Sequence, residues 1–173
     1  ALQALQKAPG ATKLLFGITG SGKTNIYLKM ALNAFKRQKS TILLVPEIAL
    51  TGQLVRVFRE VFGEKVVVIH SKQTEAERHR IFDSLLFSEG PRIVIGPRSA
   101  LFAPFASTGL IVIDEEQEPS FRSETMPRYD SREAALFRGK EEGAHVLFGS
   151  ATPSTDSYYR TGTGRYALVR LAG

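Results

Sequence analysis

The sequence predicts an α/β domain with a mostly parallel sheet and helices on both faces, and three observations carry that prediction. Short apolar runs alternate with longer amphipathic stretches along the whole chain, a β-α-β-α order. Three of the runs, Ile42-Leu43-Leu44-Val45, Val66-Val67-Val68-Ile69 and Leu110-Ile111-Val112-Ile113, contain no polar alternation. Strands buried on both faces read this way, and they occur in parallel sheets covered by helices. The residues that look chemical all fall just after such runs, where ligands bind in sheets of this kind.

The elements follow in order. A first strand is expected over 13–16, and a glycine-rich turn leads from it into a helix over 22–37. A strand over 41–45 precedes a helix over 50–62. There Leu54, Val55, Phe58, Val61 and Phe62 recur at helical spacing and leave Arg56, Arg59 and Glu60 outside. Next come a strand over 65–69, a helix over 75–86, and strands over 92–95 and 110–113. Residues 118–130 form the longest expected loop, a length that points to function. A helix over 131–139, a strand over 146–148, a short helix over 154–159 and a weaker strand over 166–171 complete the chain.

The 173 residues suit one domain with its own core, so 1–173 is read as a single unit. An apolar fraction of 43% and a charged fraction of 23% are those of a globular domain. With no Cys, disulfides and Cys-ligated zinc or iron–sulfur sites are excluded within this chain. His70 is read as a packing or capping residue, and His79 and His145 as surface residues. None of the three has partners at metal-ligand spacing. Neither a membrane-crossing run nor a secretory leader is expected. The start, Ala1 to Lys7, reads as the middle of a helix without a cap, so the chain is expected to be a piece of a longer protein. A formal charge of +6 suits a polyanionic partner.

Gly17-x-x-x-x-Gly22-Lys23-Thr24 follows a strand and opens a helix, the context a phosphate-binding loop demands. Its glycines let backbone N–H groups turn inward, and the helix N-terminus adds partial positive charge. Gly17, Thr19, Gly20, Ser21, Gly22, Lys23 and Thr24 are the expected ATP-binding set. Lys23 is to reach the terminal phosphates, and the Thr24 hydroxyl is to ligate Mg²⁺. Asp114-Glu115-Glu116-Gln117 ends the apolar strand 110–113. Asp114 is expected to hold Mg²⁺ and Glu115 to deprotonate the attacking water, if this strand neighbours the phosphate loop. An Asp-Glu pair points to a hydrolysing motor rather than a small-molecule kinase, and no Arg-rich lid is evident.

The loop at 17–24, the acidic segment and Gly149-Ser150-Ala151-Thr152-Pro153-Ser154 together resemble motifs I, II and III of superfamily 2 helicases. Val45-Pro46-Glu47-Ile48-Ala49-Leu50-Thr51, His70-Ser71, the segment 96–105 and Pro127-Arg128-Tyr129 narrow the likeness. The chain is similar over nearly its whole length to the first motor lobe of the PriA family of bacterial primosomal helicases. That resemblance implies a RecA-like P-loop domain of an ATP-dependent 3′→5′ DNA helicase acting at stalled replication forks in replication restart. It assigns coupling between nucleotide and DNA to Gln117, Ser150, Ala151 and Thr152. It assigns DNA contact to Arg98, Ser99, Phe121, Arg122, Arg128, Tyr129 and Arg132, the last five in or beside an aromatic-rich loop. It further implies forked or single-stranded DNA, restart proteins and single-strand-binding protein as partners, and a cytoplasmic, nucleoid-associated location. A second lobe and a Cys-rich zinc insertion are expected elsewhere in the longer protein. Gln117 and Asp130 stand where the family usually has His, Pro97 where Thr is common, and the loop lacks Trp. Gln117 still offers a donor and an acceptor. The alternative reading is a nucleotide-gated DNA-binding module without motor activity.

Overall fold

The computed structural model describes residues 3, 5, 12–18 and 20–171; the helix expected at the start of the chain falls mostly outside them. Seven strands form one sheet: β1 (Thr12–Phe16), β2 (Ser40–Leu44), β3 (Val66–Val68), β4 (Ile93–Gly96), β5 (Thr108–Asp114), β8 (His145–Ser150) and β9 (Ala167–Arg170). Their order is β3-β4-β2-β5-β8-β1-β9, and every pair is parallel. β6 (Arg122–Ser123) and β7 (Tyr129–Asp130) make a separate antiparallel pair inside the long loop.

Among the described residues, α-helices run over α1 (Lys23–Lys36), α2 (Gly52–Phe62), α3 (Glu75–Leu86), α4 (Ser131–Glu142) and α5 (Thr155–Gly162). Successive strand side chains point to opposite faces, so each apolar run supplies two cores. Leu15, Leu43, Val112 and Leu147 meet Tyr27, Met30 and Ala31 of α1 and Phe58 and Phe62 of α2. Leu14, Ile42, Ile111 and Phe148 meet Leu85 of α3, Ala135 of α4 and the turn Arg98–Phe102. β2 is buried at every position, which accounts for the apolar run Ile42-Leu43-Leu44 that follows its two polar residues.

Four helices begin at a side-chain cap. Thr51, Thr74, Asp130 and Ser154 accept from backbone N–H groups of α2, α3, α4 and α5, and Thr74 forms a full capping box with Glu77. The cap of α1 is Gly22, which has no side chain and a φ of 86°. The first N–H groups of α1 are therefore not occupied by a side-chain cap, which suits an anion.

Two differences from the sequence reading concern order and exposure. β1 and β5 are not neighbours, because β8 lies between them. His145, read as a surface residue, begins β8 partly buried, its Nδ1 3.2 Å from Lys13 Nζ. Among the described residues, no helix is long and apolar enough to cross a membrane.

Candidate active site

The C-terminal ends of β1, β8 and β5 bring the phosphate loop, the Ser150 segment and the acidic segment together. In register, Leu15 and Asp114 both pair with Gly149, so one glycine separates the two halves of the site. A Cβ at Gly149 would collide with the Tyr27 hydroxyl and lie 3.1 Å from Asp114 Oδ1. Glycine thus leaves a gap above β8, through which Tyr27 of α1 donates a 2.7 Å hydrogen bond to Asp114. Gly149→Ala is expected to destabilise the domain by about 1–3 kcal/mol through overpacking, read as a lowered denaturation midpoint. An unchanged midpoint would mean that Tyr27 can move aside freely.

Lys23, the first residue of α1, is 7% exposed. Its amine donates to Gly17 O at 2.8 Å and lies 3.7 Å from Glu115 Oε1. Gly17 is itself confined, since a Cβ there would fall 2.6 Å from Ser21 Oγ. Gly20 and Gly22 hold φ values of 81° and 86°, the left-handed region that favours glycine. Thr19 lies outside the described residues. Thr24 and Asp114 line one cavity of about 420 Å³ with Asn25, Thr51 and Gln53. Burial pushes the Asp114 carboxyl up from its ordinary value; the Tyr27 hydrogen bond opposes this and the neighbouring Glu115 adds to it. Burial, then the charge of Asp114, pushes the Tyr27 phenol well above its own ordinary value, so it stays a donor.

Glu115 has a φ of 50°, an uncommon conformation for a side-chain-bearing residue, with a typical strain of about 1–3 kcal/mol. Its Oε2 accepts from Gln117 Nε2 at 3.0 Å, and Gln117 Oε1 accepts from the Ser150 hydroxyl at 2.6 Å. Ser150 Oγ in turn accepts from the Thr152 N–H at 2.9 Å. An unbroken chain thus runs from Lys23 through Glu115, Gln117 and Ser150 to Thr152. The amide of Gln117 donates to one side and accepts from the other, as only a group with both capacities does.

The residues expected to contact DNA divide by exposure. Arg128 is exposed and Arg122 largely so, with Arg122 Nε 3.1 Å from Asp130 Oδ2. Tyr129 is partly buried and meets Phe102 edge-on at 5.2 Å. Arg98 and Ser99 line a groove of about 330 Å³ with Arg78, Glu47 and Ser71, and Arg98 Nη1 donates to the carbonyls of Ser120 and Arg122. Two side chains differ from the expectation. Phe121 is 1% exposed in the core and presents no open ring face. Arg132 turns inward, paired with Asp130 at 2.6 Å and Glu116 at 3.3 Å.

Tyr27, Gly149 and Glu116 were given no role by sequence reasoning. Tyr27 sits four residues after Lys23, on the same helix face, and reads as core. Tyr27→Phe is expected to cost about 1.5–3 kcal/mol, because the bond it removes is to an acid and the phenol that makes it is buried. Chemical denaturation of the two forms side by side measures this; equal midpoints would leave the bond without structural weight.

Residues 2–161 match the DEAD/DEAH box helicase family. The chain is 52% identical over 163 residues to the replication restart protein PriA of Chlamydia pneumoniae, covering 93% of this chain and 22% of that protein. It is 45% identical over 158 residues to the PriA of Bacillus subtilis, covering 91% and 20%. The chain therefore spans about a fifth of the length of these curated relatives. A structure of RecG bound to a three-way DNA junction aligns with a TM-score of 0.65 at 24% identity, over 92% of this chain and 21% of that one. The Pyrococcus furiosus Hef helicase domain aligns at 0.62 and 18% identity, over 99% and 37%. At these identities the two structures show a shared fold.

Proposed function

We propose that this chain, which belongs to the DEAD/DEAH box helicase family, is the first motor lobe of a replication-restart helicase that hydrolyses ATP to translocate 3′→5′ at stalled forks. The observation that carries this reading is the path from the Lys23–Glu115 ion pair through the hydrogen bonds that join Glu115, Gln117, Ser150 and Thr152. A nucleotide-binding module needs only the phosphate loop. A motor also needs a path from the hydrolytic acid outward, and this path is continuous.

In this reading, the N–H groups of the 17–24 loop and the N-terminus of α1 bind the ATP phosphates, with Lys23 at the terminal ones. Thr24 and Asp114 offer a hydroxyl and a carboxylate to one cavity, a hard oxygen donor set that fits Mg²⁺. The chemistry Mg²⁺ supplies when bound is neutralisation of phosphate charge. Glu115 orients the attacking water and takes its proton. Its hydrogen bond to Gln117 holds the carboxylate in place, and a change at Ser150 or Thr152 is felt there directly.

Exposed Arg122 and Arg128, together with Arg98 and Ser99, form the DNA-facing edge, and Tyr129 lies beside them. Forked and single-stranded DNA are the substrates in this reading, and restart proteins and single-strand-binding protein are partners of the longer protein. That protein is cytoplasmic and carries the zinc insertion and the second lobe. The transition-state arginine comes from the second lobe, so this lobe alone hydrolyses ATP slowly and unwinds nothing. The test is steady-state ATP hydrolysis by the full-length parent with and without forked DNA. Stimulation by the fork supports the motor. Fork binding without stimulation would favour a nucleotide-gated binding module instead.

A further inference from the structure

Arg78, in the first turn of α3, lines the same groove of about 330 Å³ as Arg98 and Ser99. The groove opens where the chain leaves β2, β3 and β4, at Val45, Ser71 and Pro97. Ligands bind at this end of a parallel sheet. The cavity of Thr24 and Asp114 lies elsewhere on the same end and is lined by different residues.

The charges in the groove do not cancel. Glu47 is the acid among the lining residues, and its Oε1 is held by the Ser71 N–H at 3.0 Å and the Ser71 hydroxyl at 2.9 Å. Arg98 donates to two carbonyls, which are neutral. Among the described residues, the Arg78 side chain has neither a hydrogen bond nor an ion pair, although its Nε is buried. A buried N–H without an acceptor is costly, and folded proteins hold few. Two guanidiniums and one carboxylate leave the groove an excess of positive charge.

The backbone that carries Arg78 is fixed. In the capping box of α3, the Thr74 N–H donates to Glu77 Oε2 at 2.7 Å and the Glu77 N–H donates to Thr74 Oγ1 at 3.2 Å. Gln73 closes the turn before the helix, accepting from the His70 N–H at 3.1 Å and donating to Val68 O at 3.0 Å. The Arg78 N–H itself donates to Thr74 O at 3.0 Å. Only the side chain has to turn to meet a ligand, and a guanidinium meets a phosphate with two parallel N–H donors.

We propose that Arg78 is a DNA-binding residue, which together with Arg98 clamps one backbone phosphate of single-stranded DNA in this groove. The phosphate gives the Arg78 guanidinium the acceptors it lacks and the groove the negative charge it lacks. Such a contact touches no base, so it fixes the strand in place without reading its sequence. This inference rests on the proposed function, which makes the groove DNA-facing.

The experiment follows binding of a labelled single-stranded oligonucleotide to the full-length parent by fluorescence anisotropy across a salt series, beside Arg78→Met and Arg78→Lys. Methionine keeps an unbranched stem and removes the charge. Arg78→Met is expected to bind about ten-fold or more weakly at low salt, the usual weight of a charge-assisted hydrogen bond. The loss is the same for oligonucleotides of different sequence. The slope of log affinity against log salt becomes shallower by about 0.7, the value of one phosphate contact on a single strand. Arg78→Lys keeps the charge without the planar fork, so its slope stays parental and its affinity falls by less. Parental affinity and slope in Arg78→Met overturn the inference. Weaker binding at the parental slope overturns it too, as the mark of a merely structural role. Should Arg78→Met not fold, parental affinity in Arg78→Lys overturns it. A parent that does not bind the oligonucleotide overturns the proposed function and this inference with it.

Discussion

Lys23→Ala in the full-length parent is expected to lower ATP turnover by about 10²–10³-fold, the usual effect of removing a preorganised charge from a developing anion. The amine is preorganised here in the plain sense. It is 7% exposed and held at 2.8 Å by Gly17 O, with Glu115 3.7 Å away. It stands at the first residue of α1, where backbone N–H groups and the helix dipole act on the same ligand. Alanine keeps the helix, since α1 is anchored in the core by Tyr27, Met30 and Ala31. The loss is therefore one of function, which a retained denaturation midpoint would establish. Nucleotide affinity falls as well, because Lys23 contacts the ground state in addition to the transition state. Turnover within ten-fold of the parent would remove Lys23, and with it the phosphate loop, from the proposed chemistry.

Glu115→Gln is the second large effect and has the opposite signature. Loss of a general base is expected to lower kcat by about 10²–10⁴-fold, while nucleotide binding persists. Gln is nearly the same shape and still hydrogen-bonds Gln117, so the positive-φ turn and the relay are kept, but it cannot take a proton. A fluorescent ATP analogue reads binding and single-turnover hydrolysis reads chemistry. Intact binding with abolished chemistry marks Glu115 as the base. Loss of both would show that the residue holds the site together instead. Because Lys23→Ala impairs both quantities and Glu115→Gln only one, the pair separates phosphate binding from water activation.

The two predictions rest on residues that were legible from the sequence, and the reason is local. A phosphate loop is defined by the φ its glycines adopt and by the helix it opens, both properties of eight consecutive residues. The helices, too, were placed by local periodicity, while the structure adds their caps at Thr51, Thr74, Asp130 and Ser154. The long loop shows the limit. Residues 118–130 alternate rings and cations, which reads as a surface for unpaired bases. Yet Phe121 packs into the core, and Arg132 is spent on two acids. Composition gives the residues available to a loop and says nothing of which ones its base will bury.

By itself, then, the sequence determined the α/β class, the succession of helices, the phosphate loop and the acidic end of β5. Each is written in the spacing of neighbouring residues, whose energetics are settled within a turn or a strand. Strand order was decided only in three dimensions, because a run of Leu, Ile and Val states that it is buried without stating beside what. That order put β8 between β1 and β5, made Gly149 the gap through which Tyr27 reaches Asp114, and carried Ser150 to Gln117. It also set Glu116 among Ser154, Ser157 and Arg132, partners 16 to 41 residues away. Contacts across such separations depend on register and packing, which are properties of the assembled sheet and helices and of no segment alone.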